Sequence, residues 1–427
     1  MSENVFEESA AGRRASRTHS QVAAAVAEAH RREWGFVLAA TVRVTRDIDL
    51  AEECVQDAYA RALSTWDSRG VPANPGAWLT TVARRRALDL LRRDASLRAR
   101  LPLLLDEPDP APQPEIPDDR LRLVFTCCHP ALAQPAQVAL TLRLLCGLTT
   151  AEVAHAFLVS EPTMAARITR AKKKIAAARI PYEVPQAAAL PERIEAVLTV
   201  VHLLYTTGHT APAGASLVRR DLVERALDLA RMLRQLLPSD ADVAGLLALI
   251  VLTDARRSTR VADDGRLLLL ADQDRSRWDQ GAIAEGIALV REALRRRPPG
   301  RFALMAAIAA VHAEAPSWGD TDWRELVGLY DLLIDIWPSP VVALNRAVAV
   351  GFASGPCDGL AALDALAAEP QLAGYGYLAA ARADFLRQLG RLDEARTAYE
   401  EALLLTENEV ERRFLVDRLA ALPPPPS

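Results

Sequence analysis

An all-α fold, with a helix-turn-helix near its middle and stacked helix pairs toward its end, is what this sequence predicts, on three observations. Ala, Leu and Arg dominate a chain of 427 residues that is 50% apolar yet only 5% aromatic, a composition that favours helices over sheets. Between Leu148 and Ile175 the chain reads LTTAEVAHAFLVSEPTMAARITRAKKKI, two short amphipathic stretches on either side of a tight connection. Near the end, YGYLAAARADFLRQLGRLDEARTAYEEALLLT places small residues at the close-packing positions of a helical hairpin.

The central stretch predicts its own elements. Thr149 followed by Glu152 is a capping box that opens a helix to about Phe157. Ser160 is the expected N-cap of the second helix, with Pro162 in the first turn, where its missing N–H costs nothing. Met164, Ile168, Ala171 and Ile175 share one face and should pack inward. Thr163, Arg167, Arg170 and Lys174 form another stripe beside Lys173, and Lys172–Lys174 are all the lysines in the protein. Such a pair reads as a DNA-binding helix-turn-helix. Read more simply, it is a helix pair with a solvated basic face.

Composition narrows the classes. The length suits two to four domains. A formal net charge of −4 means that any contact with nucleic acid must come from local patches. Residues 1–19, polar and carrying Arg13, Arg14 and Arg17, are expected to be a disordered tail without a signal peptide. The longest uncharged apolar run, around Val243–Thr253, is too short to span a bilayer, so a soluble cytoplasmic protein without membrane contact is expected. Cys54, Cys127, Cys128, Cys146 and Cys357 form no regular framework and suit a reducing compartment. Cys127, Cys128, His129 and Cys146 could supply four metal ligands, but neighbours on a helix point about 100° apart, and small buried thiols are the preferred reading.

Residues 20–95 are expected to form a three-helix unit. Its first helix should run from about Val22 to Val44; the second, IDLAEECVQDAYARALSTW, should open on a capping box of Asp49 and Glu52. After the turn-rich loop DSRGVPANP comes GAWLTTVARRRALDLLRRDA, with Leu79, Val82 and Leu90 as inward candidates and Arg84, Arg85, Arg86, Arg92 and Arg93 outside. An arginine-dense face beside Trp78 suits melted DNA, where phosphates meet cations and bases meet aromatic surfaces. A charged helix with a core tryptophan would look the same. Residues 96–118 are a proline-rich acidic linker. Residues 119–180 make the second unit: RLRLVFTCCHPAL, then PAQVALTLRLLCG with Gly147 as its stop, then the helix-turn-helix.

In this order, AEECVQDAYARAL, PGAWLTTVARRRALDLLRR, linker and helix-turn-helix, the chain resembles the extracytoplasmic-function sigma factors of the sigma-70 family, over about residues 20–180. The wording CCHPAL and FLVSEPTMAARITRAKKKI, with a long C-terminal half, resembles the subgroup with a tetratricopeptide-like extension. The resemblance implies two small sigma helical domains and, as partners, core RNA polymerase (β′ clamp and β flap) and promoter DNA, with no cofactor, no metal and no catalysis. It places Glu53, Gln56 and Asp57 on the helix that docks on the β′ clamp. Trp78, Arg84, Arg85, Arg86 and Arg92, with the loop Asp67–Pro75, would melt and read the −10 element. Thr163, Arg167 and Arg170 would read the −35 element, and the run Lys172, Lys173 and Lys174 is better placed for phosphates. Two departures stand out: Arg85 where an Asn is usual, and Leu158 where the turn usually has Gly.

Pro181–Pro191 reads as a proline-punctuated hinge, and residues 186–427 as a helical, tetratricopeptide-like regulatory extension with an unknown partner. Ala383, Gly390, Ala395, Tyr399 and Ala402 fit one repeat; 34 residues earlier, Ala349, Pro356, Ala361, Ala365 and Ala368 suggest a degenerate second. In LTDARRSTRVADDGRLLLLADQDRSRWD, the segment DDGRLLLL suggests a small hairpin between helices. Asp254, Arg256, Arg257, Arg260, Asp272, Gln273, Asp274, Arg275 and Trp278 suggest a salt-bridge network ahead of ligand sensing or acid–base chemistry. No catalytic triad, phosphate loop or HExxH motif occurs. The expected function is therefore a sigma factor that directs promoter-specific initiation, with a C-terminal domain that modulates it. The alternatives are a sigma-derived DNA-binding regulator or a repeat adaptor that does not support initiation; an enzyme built on the Asp/Arg cluster comes third.

Overall fold

The computed structural model describes residues 3–98, 119–157, 159–186 and 189–423. The expected linker at 96–118 and Leu158 at the helix-turn-helix connection fall outside them, apart from the linker's first residues, which end a helix. Described residues are overwhelmingly α-helical, with one two-residue parallel strand pair, so the fold is all-α as expected. The chain divides into two compact units, 1–200 and 201–427.

The first unit opens with α1 (Glu3–Thr45), α2 (Ile48–Arg69) and α3 (Pro75–Arg98). Helix α1 takes in the stretch expected to be a disordered tail: residues 3–20 contain no proline and one glycine among Ala, Glu and Arg, so nothing local stops the helix. Asp47, not Asp49, is the N-cap of α2, accepting from the Leu50 N–H at 3.0 Å, which corrects the expected capping box and frees Glu52 for another role. Ala51, Cys54, Val55, Ala58, Ala62 and Trp66 form the buried stripe of α2. On α3 Leu79, Ala83 and Ala87 form a buried stripe, with Gly76 also buried in the first turn, while Val82 and Leu90 only flank it. A stripe at intervals of four, small after its first member, lets α3 lie close against α1 and α2.

A second bundle follows: α4 (Asp119–Cys127), α5 (Gln134–Leu140) running into a π-helical turn at Thr141–Leu145, α6 (Thr150–Ala156) and α7 (Glu161–Ala177). Gly147 ends the π-turn at φ 70°, a conformation that suits glycine, and a Cβ there would lie 2.9 Å from the Trp34 ring. This bundle packs on α1. Gly35 presents bare backbone to the Leu145 carbonyl, only 2.4 Å from where a Cβ would sit, and the Tyr182 hydroxyl lies 2.8 Å from the Ala39 carbonyl oxygen. Cys127 and Cys128 are buried; Cys128 Sγ sits 3.7 Å from Thr141 Oγ1, and His129 Nδ1 accepts from the Ala131 N–H. No metal-ligating group of side chains forms among the described residues.

Helix α8 (Leu190–His209) crosses from the first unit into the second. The second unit continues through α9 (Arg220–Leu236), α10 (Ala241–Asp254), α11 (Gln280–Ala293), α12 (Arg301–Glu314), α13 (Trp323–Ile336), α14 (Pro340–Ser354), α15 (Pro356–Asp364), α16 (Gly376–Gln388), α17 (Leu392–Leu405) and α18 (Glu409–Ala420). The apolar run Val243–Leu252 is α10, buried on every side by α9, α11 and α12, which is why it shows no polar face. Among the described residues no helix is long and apolar enough to cross a membrane. In the α16–α17 hairpin, Ala383, Ala395, Tyr399 and Ala402 are buried and Gly390 turns at φ 73°, as the repeat spacing requires.

The pair before it corrects the expected register. Gly355 alone joins α14 to α15, where three residues join α16 to α17, so α15 starts two residues early relative to a 34-residue period. Two residues rotate a helix by about 200°. Leu360 and Leu363 therefore face the core, and Ala361, Ala365 and Ala368 face solvent. A further consequence concerns acid. His202, His209 and His312 are pushed down to about 4, 2 and 4, first by burial and then by nearby arginines (Arg301 for His202, Arg260 for His209, Arg256 for His312), so all three are neutral in the fold. Below 6.5 the unfolded chain binds protons that the folded one refuses, so their contribution is present above 6.5 and lost as pH falls, by about 1.4 kcal/mol per histidine per pH unit. Thermal midpoints should drop between pH 7 and 5, and His209→Gln should flatten that slope; a slope unchanged by the substitution would contradict a neutral buried His209.

Candidate nucleic-acid and polymerase interface

Helix α7 is built for display. Ser160 caps it through its hydroxyl, which lies 2.8 Å from that of Thr163 and 3.4 Å from the Thr163 N–H. Before it, Thr149 and Glu152 form the reciprocal box: the Thr149 N–H donates to Glu152 Oε2 at 2.7 Å and the Glu152 N–H to Thr149 Oγ1 at 3.1 Å. Met164, Ile168, Ala171 and Ile175 are all buried, the face read from the sequence. Thr163, Arg170, Lys173 and Lys174 are exposed. Arg167 is half-buried because its guanidinium lies 5.5 Å from the centre of the Phe157 ring, which fixes its direction without neutralising it. Arg170 Nε donates to the Ala166 carbonyl at 3.2 Å.

Lys172 does not belong with its neighbours. Its ammonium donates to Asp49 Oδ1 at 2.7 Å and to Glu52 Oε2, so the expected phosphate-facing run of three lysines has two members. Burial by itself would lower this ammonium's pKa, but Glu52 and Asp49 together hold it above its ordinary value. Glu52 is 5% exposed, and its other oxygen faces Arg143 Nη2 at 3.0 Å as an ion pair without hydrogen-bond alignment. One carboxylate from α2 thus holds a cation from the π-turn and a cation from the display helix. Sequence reading missed Arg143; the available signal was an arginine inside the apolar run TLRLL, which demands a buried partner.

On α2 and α3 the assigned residues divide. Glu53 and Gln56 are exposed on α2. Asp57, grouped with them from the sequence, instead accepts from Arg86 Nε at 2.8 Å, so a residue expected at the polymerase and one expected at DNA form a single ion pair. Arg85 and Arg92 are exposed and Arg84 half-buried. Trp78 is half-buried, edge-on to the buried Trp66 at 5.6 Å between ring centres, which leaves part of its surface open next to the loop before α3.

The Asp/Arg stretch of the second unit is mostly helix-end chemistry. Arg257 pairs with Asp254 at 2.9 Å. Arg260 donates to the carbonyl of His209, at the end of α8, and at 2.9 Å to Thr210 Oγ1. Arg275 donates to the carbonyls of His312 and Ala315, at the end of α12, at 2.7 and 2.6 Å. Asp274 and Asp279 cap a short turn and α11. The expected hairpin is present: Val261 bridges Leu267, with Gly265 at φ 84°.

The Glu52 arrangement makes a graded prediction. Glu52→Ala strands two partly buried cations and should cost the first unit about 3 kcal/mol. Lys172→Met leaves Glu52 its Arg143 partner and should cost about 1 kcal/mol. Chemical denaturation of the full chain measures both, and equal losses would show that Arg143 does not share the carboxylate.

Comparison with known proteins places these surfaces in a family. The sigma-70 region 2 family matches residues 30–96, and the sigma-70 region 4 family matches residues 122–175. Residues 193–294 match a family of unknown function (DUF6596). An uncharacterized protein of Rhizobium meliloti (strain 1021) is 42% identical over 398 residues, covering 90% of this chain and 94% of that protein. With region 2 in α1–α3, region 4 in α4–α7 and a helical extension beyond them, the chain belongs to the sigma-70 family as an extracytoplasmic-function-like sigma factor.

Proposed function

We propose that this sigma factor binds core RNA polymerase through the exposed Glu53 and Gln56 of α2 and reads two promoter elements with separate helices. Helix α3 meets the −10 element with Trp78, Arg84, Arg85 and Arg92, and Arg86 orients that face through Asp57. Helix α7 meets the −35 element with Thr163, Arg167 and Arg170 on base edges and Lys173 and Lys174 on phosphates. The carrying observation is α7 itself: a capped helix with its apolar face buried and its basic face exposed. Run-off transcription with core polymerase and a promoter library tests the reading; if no promoter in the library yields a transcript, the regulator alternative stands. Within α7, Arg167→Ala should cost about 1–3 kcal/mol at one −35 position, whereas Lys173→Ala should weaken all sequences alike and lower the salt slope by about one unit. Equal losses across all promoters for both variants would overturn this division of the helix.

The packing of region 4 on region 2 gives the free protein a closed form. Elements centred 10 and 35 base pairs upstream lie about 85 Å apart on B-DNA. Lys172 and Asp49 are 2.7 Å apart, so α7 must leave α2 before both elements are read at once. Glu52 lies on the same helix as Glu53 and Gln56, so polymerase docking and release of Lys172 and Arg143 act on one element.

The extension modulates activity, and the favoured direction is support: once polymerase docking has parted the sigma domains, it holds them in the productive arrangement. Helix α8 runs on from the first unit into the second, so the extension stays covalently attached at high effective concentration and weak docking suffices. Ending the chain at Val200 keeps Arg193 on the Phe125 carbonyl and Tyr182 against Ala39. That shortened protein should stay folded yet initiate poorly, and residues 201–427 added in trans should restore little; full activity at every concentration would make the extension an independent module.

A further inference from the structure

The second unit carries a cavity of about 370 Å³ assembled from three distant parts of the chain: the segment before α9, the hairpin after α10 and the start of α18. Arg220, Arg257 and Arg413 line it with Ser258, against one carboxylate, Glu409. Arg257 is paired with Asp254, but Arg220 and Arg413 have no hydrogen-bond or ion-pair partner among the described residues. Helix α9 opens here with no side chain capping its first amides, because its N-cap residue, Arg219, has no acceptor atom to offer them; its guanidinium meets Asp221 at 2.9 Å. Gly265, at the hairpin tip, brings bare backbone toward the Arg413 guanidinium, 3.6 Å from where a Cβ would lie.

The cavity stands on a buried clasp. Asn408 is fully buried; its side-chain amide donates to the carbonyls of Ala211 and Ser216 at 2.9 and 3.0 Å, and its oxygen accepts from the Val410 and Glu411 N–H groups at 3.0 and 3.3 Å. The strand pair Ala213–Gly214 with Glu407–Asn408 closes the same junction. The loop before α9 and the helix that ends the extension are therefore joined across nearly two hundred residues, and the three arginines approach one space from both sides of the join.

We propose that this cavity binds a small phosphorylated metabolite, its phosphate held by Arg220, Arg257 and Arg413 at the open amides of α9. Forked guanidinium donors match the oxygens of a tetrahedral oxyanion, and a helix start adds partial positive charge directed at the ligand. A volume near the low end of small-molecule sites suits a compact polar ligand. An occupant bridging Arg220 and Arg413 ties the beginning of the extension to its end, so occupancy stiffens the clasp. Binding is independent of the sigma function proposed above.

Isothermal titration of the full-length protein with inorganic phosphate and pyrophosphate at low ionic strength tests the site, with citrate as a polycarboxylate comparator. Pyrophosphate should bind saturably at one site and raise the thermal midpoint. Arg413→Ala and Arg220→Ala should each weaken it about tenfold or more, while Arg324→Ala, an equal loss of charge on α13, should stay within about twofold. Circular dichroism establishes that each variant is folded. Binding that persists in Arg413→Ala would place the anion on the basic faces of α3 and α7 and overturn the proposal, as would no saturable binding, equal weakening by Arg324→Ala, or tighter binding of citrate than of pyrophosphate.

Discussion

A carboxylate buried near the start of α2 organises the sigma half of this protein. Glu52 cannot sit in a low-dielectric interior without cations, and it receives one from the π-turn and one from the display helix. The consequence is geometric. Region 4 can satisfy Glu52 only in the orientation that brings Arg143 and Lys172 to it together, and that orientation is also the one in which Gly35 admits the Leu145 carbonyl and Gly147 admits Trp34. Charge and backbone packing select the same arrangement.

That arrangement redistributes a sparse positive charge. The chain is net negative, so its DNA-facing surfaces depend on where each cation goes. Lys172 turns inward to α2, and Arg86 is held by Asp57. What remains outward among the described residues is, on α7, Arg167, Arg170, Lys173 and Lys174, and on α3 Arg84, Arg85, Arg92 and Arg93. A helix wheel counts all of these alike; the fold separates those that position helices from those that meet solvent.

The extension uses arginine in a third way. Arg260 and Arg275 meet the carbonyls at the ends of α8 and α12, so a stretch that reads as an ion-pair network is mostly a set of clamps on helix termini. Three histidines of this unit stay neutral because burial and neighbouring arginines, Arg301 for His202, Arg260 for His209 and Arg256 for His312, both oppose protonation. Around them, α10 supplies the apolar centre and Asn408 joins the unit's two ends.

How much of this was legible depended on the range of the interaction. The Thr149–Glu152 box, the Ser160 cap, the buried face of α7, the Gly147 stop and the α16–α17 hairpin are set by contacts within a few residues, and one-dimensional spacing carries them. The same holds for the all-α class, since helix propensity and period are local properties. Tertiary structure alone decided that Asp47 rather than Asp49 caps α2, because the alternative role of Glu52 lies 120 residues away in Lys172. It alone paired Asp57 with Arg86, turned α15 through a one-residue connection, and brought Arg220, Arg257 and Arg413 to one cavity. In each case the deciding partner is distant in sequence or the deciding quantity is a loop length, and neither leaves a periodic trace along the chain.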